Sequence, residues 1–176
     1  MEKKEVMERI EKDNIKYILL QFSDINGIVK NVTIPVSELR EAFERGTWFD
    51  GSSIEGFTRI HESDMYLKPD PSTYAVIPWL SRTARFICDI YKPDGSIFES
   101  DPRYILKKVL KEASGMGFTY KVGPEPEFFL FNKDVQHHDT GGYFDLNMDK
   151  AFEIRAEMVE ALESMGIKVE ASHHEV

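Results

Sequence analysis

The chain has 176 residues, a net charge of −9 and a pI of about 5.1, which suits one domain or two small ones and, with no basic cluster, argues against nucleic acid as a partner. A single cysteine, Cys88, excludes an intramolecular disulfide framework and suits a reducing compartment. The charged start MEKKEVMERIEKDN lacks the apolar stretch of a signal peptide, and no apolar run reaches membrane-spanning length, so the reading is of a soluble cytoplasmic chain with no membrane partner.

In chain order, residues 2–13 predict a short helix with Val6 and Ile10 on one face. KYILLQFSD (16–24) predicts a strand, INGI (25–28) a hairpin turn around Asn26-Gly27, and VKNVTIP (29–35) the return strand. Ser37 is the expected cap of a helix that stops at Gly46. Residues 47–73 show little periodicity and read as a long loop. Its many aromatic and apolar residues, Trp48, Phe49, Ile54, Phe57 and Ile60 among them, make that loop ordered and functional. YAVIPW (74–79) and ARFICDIY (84–91) predict two more strands.

From there strand and helix alternate. SDPRYILKKVLKEASGMG (100–117) predicts a helix with Ser100 or Asp101 as cap and Pro102 at the first position. FTYKVGPEPEFFLFN (118–132) predicts a strand, QHHDTGGYFDL (136–146) a loop, 147–166 a helix and IKVEASHHEV (167–176) a strand. The first 95 or so residues thus make a small mixed β/α unit, and a second unit begins near residue 101. A strand without a polar tail at the end suggests the N-terminal part of something longer.

GPEPEFFLF carries two carboxylates on an apolar strand. Alternation puts Glu125 and Glu127 on the same face, about 6–7 Å apart. Burying like charges side by side requires a cation or a proton between them. One reading pairs them with Lys121, Lys107 or Arg103. The other places a third glutamate, Glu175, beside them from the last strand. Oxygen ligands without thiols would then select Mg²⁺ or Mn²⁺. The neighbouring His173 and His174 are not expected to be ligands.

FDGSSIEGF, GPEPEFFLF, GGYFD and VEASHHEV occur in this order at family-like spacings, and together the chain resembles the N-terminal portion of a type I glutamine synthetase. The resemblance implies an α+β fold. Residues 1–99 would form a β-grasp domain and residues 100–176 the first part of the catalytic α/β sheet domain. It implies an ATP-dependent ligase joining ammonia to L-glutamate through γ-glutamyl phosphate, with two divalent cations, Mg²⁺ or Mn²⁺. Glu125, Glu127 and Glu175 match its metal ligands, and Glu170 matches a glutamate that contacts the nucleotide. Asp50 matches the aspartate that binds ammonium and takes its proton; Ser53 and Tyr143 match residues of the same pocket. Two stacked hexameric rings, with active sites between subunits, are implied as well.

The later metal ligands and the arginines of such enzymes have no counterpart in these 176 residues, so the chain by itself is expected to be inactive. The GSSIEGFTR segment resembles the feedback-regulated branch, which offers Arg59 as a participant in inhibition by glutamine; a plain surface arginine is the competing reading. A γ-glutamyl-amine ligase and a non-catalytic β-grasp module for regulation or assembly stay open as alternatives. Trp48, Phe49 and Phe57 are read as packing residues.

Overall fold

Four residues apart on one helical face, Val6 and Ile10 are both buried beneath α1 (Lys3–Lys12) in the computed structural model of the chain. The structure describes residues 1–54, 64–146 and 151–175, which fall into two units, Met1–Lys121 and Val122–Val176. In the first unit β1 (Tyr17–Ser23) and β2 (Val29–Pro35) form the expected hairpin. Its turn rests on buried Asp24, whose Oδ1 accepts from the N–H groups of Asn26 and Ile28, both at 2.9 Å. Gly27 supplies the left-handed backbone, φ +80°.

Ser37 does not cap the following helix. It lies inside a short 3₁₀ turn, Val36–Glu38, and α2 (Leu39–Arg45) starts beyond it with no side-chain cap. Burial of Leu39, Ala42 and Phe43 fixes where α2 begins, and that outweighs a single capping bond worth about 1 kcal/mol. The exit at Gly46 is as expected. A Cβ there would stand 2.4 Å from the Tyr66 ring and 3.0 Å from the Leu67 carbonyl, and φ is +83°, so both space and conformation demand glycine.

The stretch read as one loop contains two strands, β3 (Thr47–Asp50) and β4 (Asp64–Pro69), paired antiparallel from Thr47 opposite Leu67 to Asp50 opposite Asp64. Periodicity misses them because β3 is four residues long and β4 buries Met65, Tyr66 and Leu67 in succession. Residues 55–63, with Phe57, Arg59 and Ile60, lie outside the described residues. The strand expected over 74–79 shrinks to β5 (Ala75–Val76), because the chain turns at Ile77 and Pro78 offers no N–H to a ladder. β6 (Thr83–Tyr91) closes the sheet.

Strand order is β2-β1-β6-β4-β3, with β5 also on β6. Only the β1–β6 pair is parallel among the described pairings. Alternation along β1 and β6 turns Ile18, Leu20, Phe22, Ala84, Phe86, Cys88 and Ile90 inward. They join Val6, Ile10, Leu39, Ala42 and Phe43 in one core cluster, and the Phe43 ring meets Phe86 edge-on at 5.4 Å. Burial pushes the Cys88 thiol well up, so it stays protonated and inert.

α3 (Pro102–Gly115) belongs to the same unit. Asp101 is its cap, with Oδ1 accepting from the Arg103 N–H at 3.0 Å. No residue of α3 is buried. Ion pairs hold it instead: Arg103 Nε to Asp89 Oδ1 at 2.9 Å, Lys107 Nζ to Asp89 Oδ2 at 2.8 Å, and Arg103 Nη2 to Asp70. Asp89 alternates with buried Cys88 and Ile90, so these bonds form on the sheet face away from the core.

The second unit contains α4 (Phe152–Ser164), which leaves through Gly166 at φ +80°. Residues 147–150, at the start of the helix expected over 147–166, lie outside the described residues. Among the described residues, the strands expected over 118–132 and 167–176 are not formed. Apart from an isolated bridge between Phe131 and His137, no ladder engages either segment among the described residues. Alternating side chains cannot make a strand alone; the backbone must find a partner. Among the described residues of this unit only Ala151 is buried. No described helix is long and apolar enough to cross a membrane.

Candidate functional site

Asp50 ends β3 and caps a single 3₁₀ turn, Gly51–Ser53. Its Oδ1 accepts from the Ser52 N–H at 2.9 Å and the Ser52 hydroxyl at 2.6 Å, and its Oδ2 from the Ser53 hydroxyl at 3.4 Å. The Ser52 hydroxyl, then the Ser52 amide and, more weakly, the Ser53 hydroxyl hold this exposed carboxyl below its ordinary range. An anion so placed suits attraction of a cation. The same motif recurs twice. Asp70 accepts from the Ser72 N–H and hydroxyl at 3.0 and 2.7 Å, and Asp94 from those of Ser96 at 2.8 and 2.6 Å. The local geometry of Asp50 is therefore that of an ordinary Asp-x-Ser turn. Beside it, Trp48 is 56% exposed and packs on Tyr66, while half-buried Phe49 packs on Phe22.

The other candidates lie in the second unit. Glu125 and Glu127 are exposed and form no ion pair among the described residues. Lys107 and Arg103, two proposed partners for them, are engaged with Asp89 and Asp70. Glu170 is exposed, its Oε1 3.7 Å from Lys168 Nζ. Glu175 is half exposed, with Oε1 3.6 Å from His173 Nδ1. Three carboxylates are the right chemistry for a hard divalent cation. Their expected convergence is not found: among the described residues no group of three acidic, histidine or cysteine side chains is placed to hold a metal ion. The cause is the missing ladder, since only a paired strand fixes Glu125 and Glu127 on one face.

Tyr143 is half exposed and stacks on Phe144, ring centroids 3.9 Å apart. Both rings meet His173 edge-on, at 5.3 and 4.9 Å. The structure thus brings Tyr143 against His173, whose Nδ1 in turn lies 3.6 Å from Glu175 Oε1. It also reveals a pair that sequence reasoning missed: His174 Nε2 lies 2.8 Å from Asp139 Oδ1, and the Asp139 side chain is only 5% exposed. The partners stand 35 positions apart, so no local spacing announces them. A signal was available in the turn: Asp139 also accepts from the Gly141 N–H at 3.0 Å, as the Asp-Thr-Gly order allows. Arg59 lies outside the described residues.

A model described as the glutamine synthetase β-grasp domain matches residues 14–93, and one described as the glutamine synthetase catalytic domain matches residues 99–176. The glutamine synthetase of Halobacterium salinarum is 52% identical, covering 97% of this chain and 40% of that protein. That of Methanosarcina mazei is 50% identical, covering 99% and 41%, and that of Staphylococcus aureus 50%, covering 99% and 42%. The chain spans about two fifths of the length of the curated relatives it matches. Among solved structures, GmaS in complex with ADP superposes with a TM-score of 0.82 at 21% identity, over 97% of this chain and 41% of that one. GmaS without ligand gives 0.75 at 18%, over 94% and 41%. At such identities the likeness is one of fold alone. With both domain models matched in order along nearly its whole length, the chain belongs to the glutamine synthetase family.

Proposed function

We propose that the chain serves the ATP-dependent ligation of ammonia to L-glutamate, giving L-glutamine through γ-glutamyl phosphate. The observation that carries this reading is identity at about half of all positions with curated glutamine synthetases along nearly the whole chain. Asp50 draws ammonium into the pocket by its charge, with Ser53 and Tyr143 as neighbours there. Its depressed carboxyl value makes it a strong attractor of cations and a weak base, so proton removal requires the nitrogen to be held tightly against it. Glu170 faces the nucleotide. Glu125, Glu127 and Glu175 would hold Mg²⁺ or Mn²⁺, which supplies neutralisation of phosphate charge during transfer.

The working form is a cytoplasmic homo-oligomer of two hexameric rings, in which Asp50 serves a site completed by a neighbouring subunit. The 176 residues by themselves form no glutamine and hold divalent cations weakly, because a convergent ligand set is what Mg²⁺ demands. In the complete protein, Asp50→Ala is expected to lower synthesis at limiting ammonium by about 100-fold or more. ATP affinity, read by nucleotide titration, stays unchanged. Undiminished synthesis by the variant removes Asp50 from the mechanism, and absence of synthesis by the parent protein overturns the reading.

A further inference from the structure

We propose that Asp139 and His174 form a clasp that positions Tyr143 and Glu175 relative to each other; this deepens the ligase reading and rests on it. The clasp joins the loop over residues 136–146 to the segment over 173–175 at two independent places. At the first, the Asp139 carboxylate accepts from His174 Nε2 at 2.8 Å. The other ring nitrogen, Nδ1, lies 2.8 Å from the Glu175 carbonyl oxygen, so the imidazole is held at both nitrogens and in one orientation. At the second, the Phe144 N–H donates to the His174 carbonyl at 3.4 Å, and the Tyr143 and Phe144 rings pack on His173.

Burial distinguishes this pair from an incidental surface contact. Within a unit whose only buried described residue is Ala151, the Asp139 side chain is 5% exposed and that of His174 25%. A carboxylate taken out of water needs compensating bonds. Asp139 finds them in His174 and in the Gly141 N–H. Tyr143 lies four residues after Asp139, and Glu175 follows His174 directly, so both are tethered within a short reach of the clasp. Displacement of a positioned group by about 1 Å can cost up to two orders of magnitude in rate. Asp139 and His174 act here as positioning residues, without touching a substrate.

Hydrogen exchange in the 176-residue chain tests the clasp without reference to activity. Asp139→Ala and His174→Ala should each speed exchange of the Phe144 amide about tenfold, and the double variant no further, while amides of β1 and β6 stay unchanged. Asp139→Asn keeps an accepting oxygen and should behave like the parent. Should Asp139→Ala strip protection from α4 as well, Asp139→Asn decides: retained protection at Phe144 supports the clasp and lost protection overturns it. Parental exchange in Asp139→Ala, or effects that simply add, also overturn it. In the complete protein, Asp139→Ala should raise the ammonium KM about tenfold with a smaller change in kcat, and Asp139→Asn should restore it. An unchanged KM defeats the positioning role. A complete parent protein that makes no glutamine defeats the ligase reading and leaves the exchange result to judge the clasp.

Discussion

In Met1–Lys121, Leu20, Leu39, Phe86 and Ile90 are wholly buried in one core cluster; in the second unit, Phe128, Phe129, Phe131, Leu146 and Phe152 are between 50% and 82% exposed. Composition does not explain the contrast, for both regions are rich in large apolar side chains. Backbone pairing does. The strands of the first unit find their ladder partners within residues 17–91, so each has a fixed inner face to press against a helix. The segments over 118–132 and 167–175 have no such ladder among the described residues, and their side chains have no defined inside.

The sharpest way to break this contrast is to truncate one residue on each side of it. Leu20→Ala should destabilise the chain by about 3–5 kcal/mol in urea unfolding followed by circular dichroism, since it leaves a cavity in a packed core. Gly46→Ala should cost about 3 kcal/mol by the same measurement. The added methyl would strike the Tyr66 ring, which cannot swing aside because Trp48 and Tyr91 pack on it at 5.2 and 5.4 Å.

Two aspartates sharpen the account of how α3 is held. Burial raises the Asp101 carboxyl above its ordinary value, and the Arg103 amide offsets this only in part. Asp70 is raised by burial as well, but the Ser72 hydroxyl and amide, with Arg103 and Lys107, bring it below. The stability due to Asp70 is therefore present above the ordinary aspartate value of about 3.9 and lost as pH falls through its depressed value. That due to Asp101 runs the other way: full below about 3.9, and lost as pH rises through its raised value. At pH 7, Asp70→Asn should cost about 1 kcal/mol, a loss that vanishes in strong acid. Asp101→Asn, which caps a helix equally well, should match or exceed the parent at pH 7 and lose that advantage on acidification. Urea midpoints at neutral and acid pH check both. Phe129→Ala completes the series with a change within about 0.5 kcal/mol, because its ring is 74% exposed. A cost near that of Leu20→Ala would mean the second unit has a core after all.

Local signals were legible wherever a residue's neighbours in sequence are also its neighbours in space. Val6 and Ile10 marked the buried face of α1, Asn26-Gly27 the hairpin, and Asp101-Pro102 the start of α3. β3 and β4 were hidden because one is too short and the other too thoroughly buried to alternate. Glu125 and Glu127 showed the limit of alternation itself, which assumes the ladder that gives a strand its faces. Asp50 shows another limit. Its bonds to Ser52 repeat those of Asp70 to Ser72 and Asp94 to Ser96, so its geometry alone cannot single it out, and the resemblance did. Asp139 depends on a partner 35 positions away, beyond any local pattern.

The place of β6 has a consequence for the order of events during synthesis. It is the last strand of its sheet in the chain, yet it pairs with β1, β4 and β5. Between the end of β1 and the start of β6 lie about 60 residues whose loop must close before the parallel pair can form. A growing chain that has emerged only as far as the hairpin and α2 therefore holds half a core with nothing at its centre. Its folding waits on the arrival of Tyr91, and long-range closure of this kind is slow compared with helix or hairpin formation. Until then Ile18, Leu20 and Phe22 face water on the ribosome, where a holding chaperone would find its target.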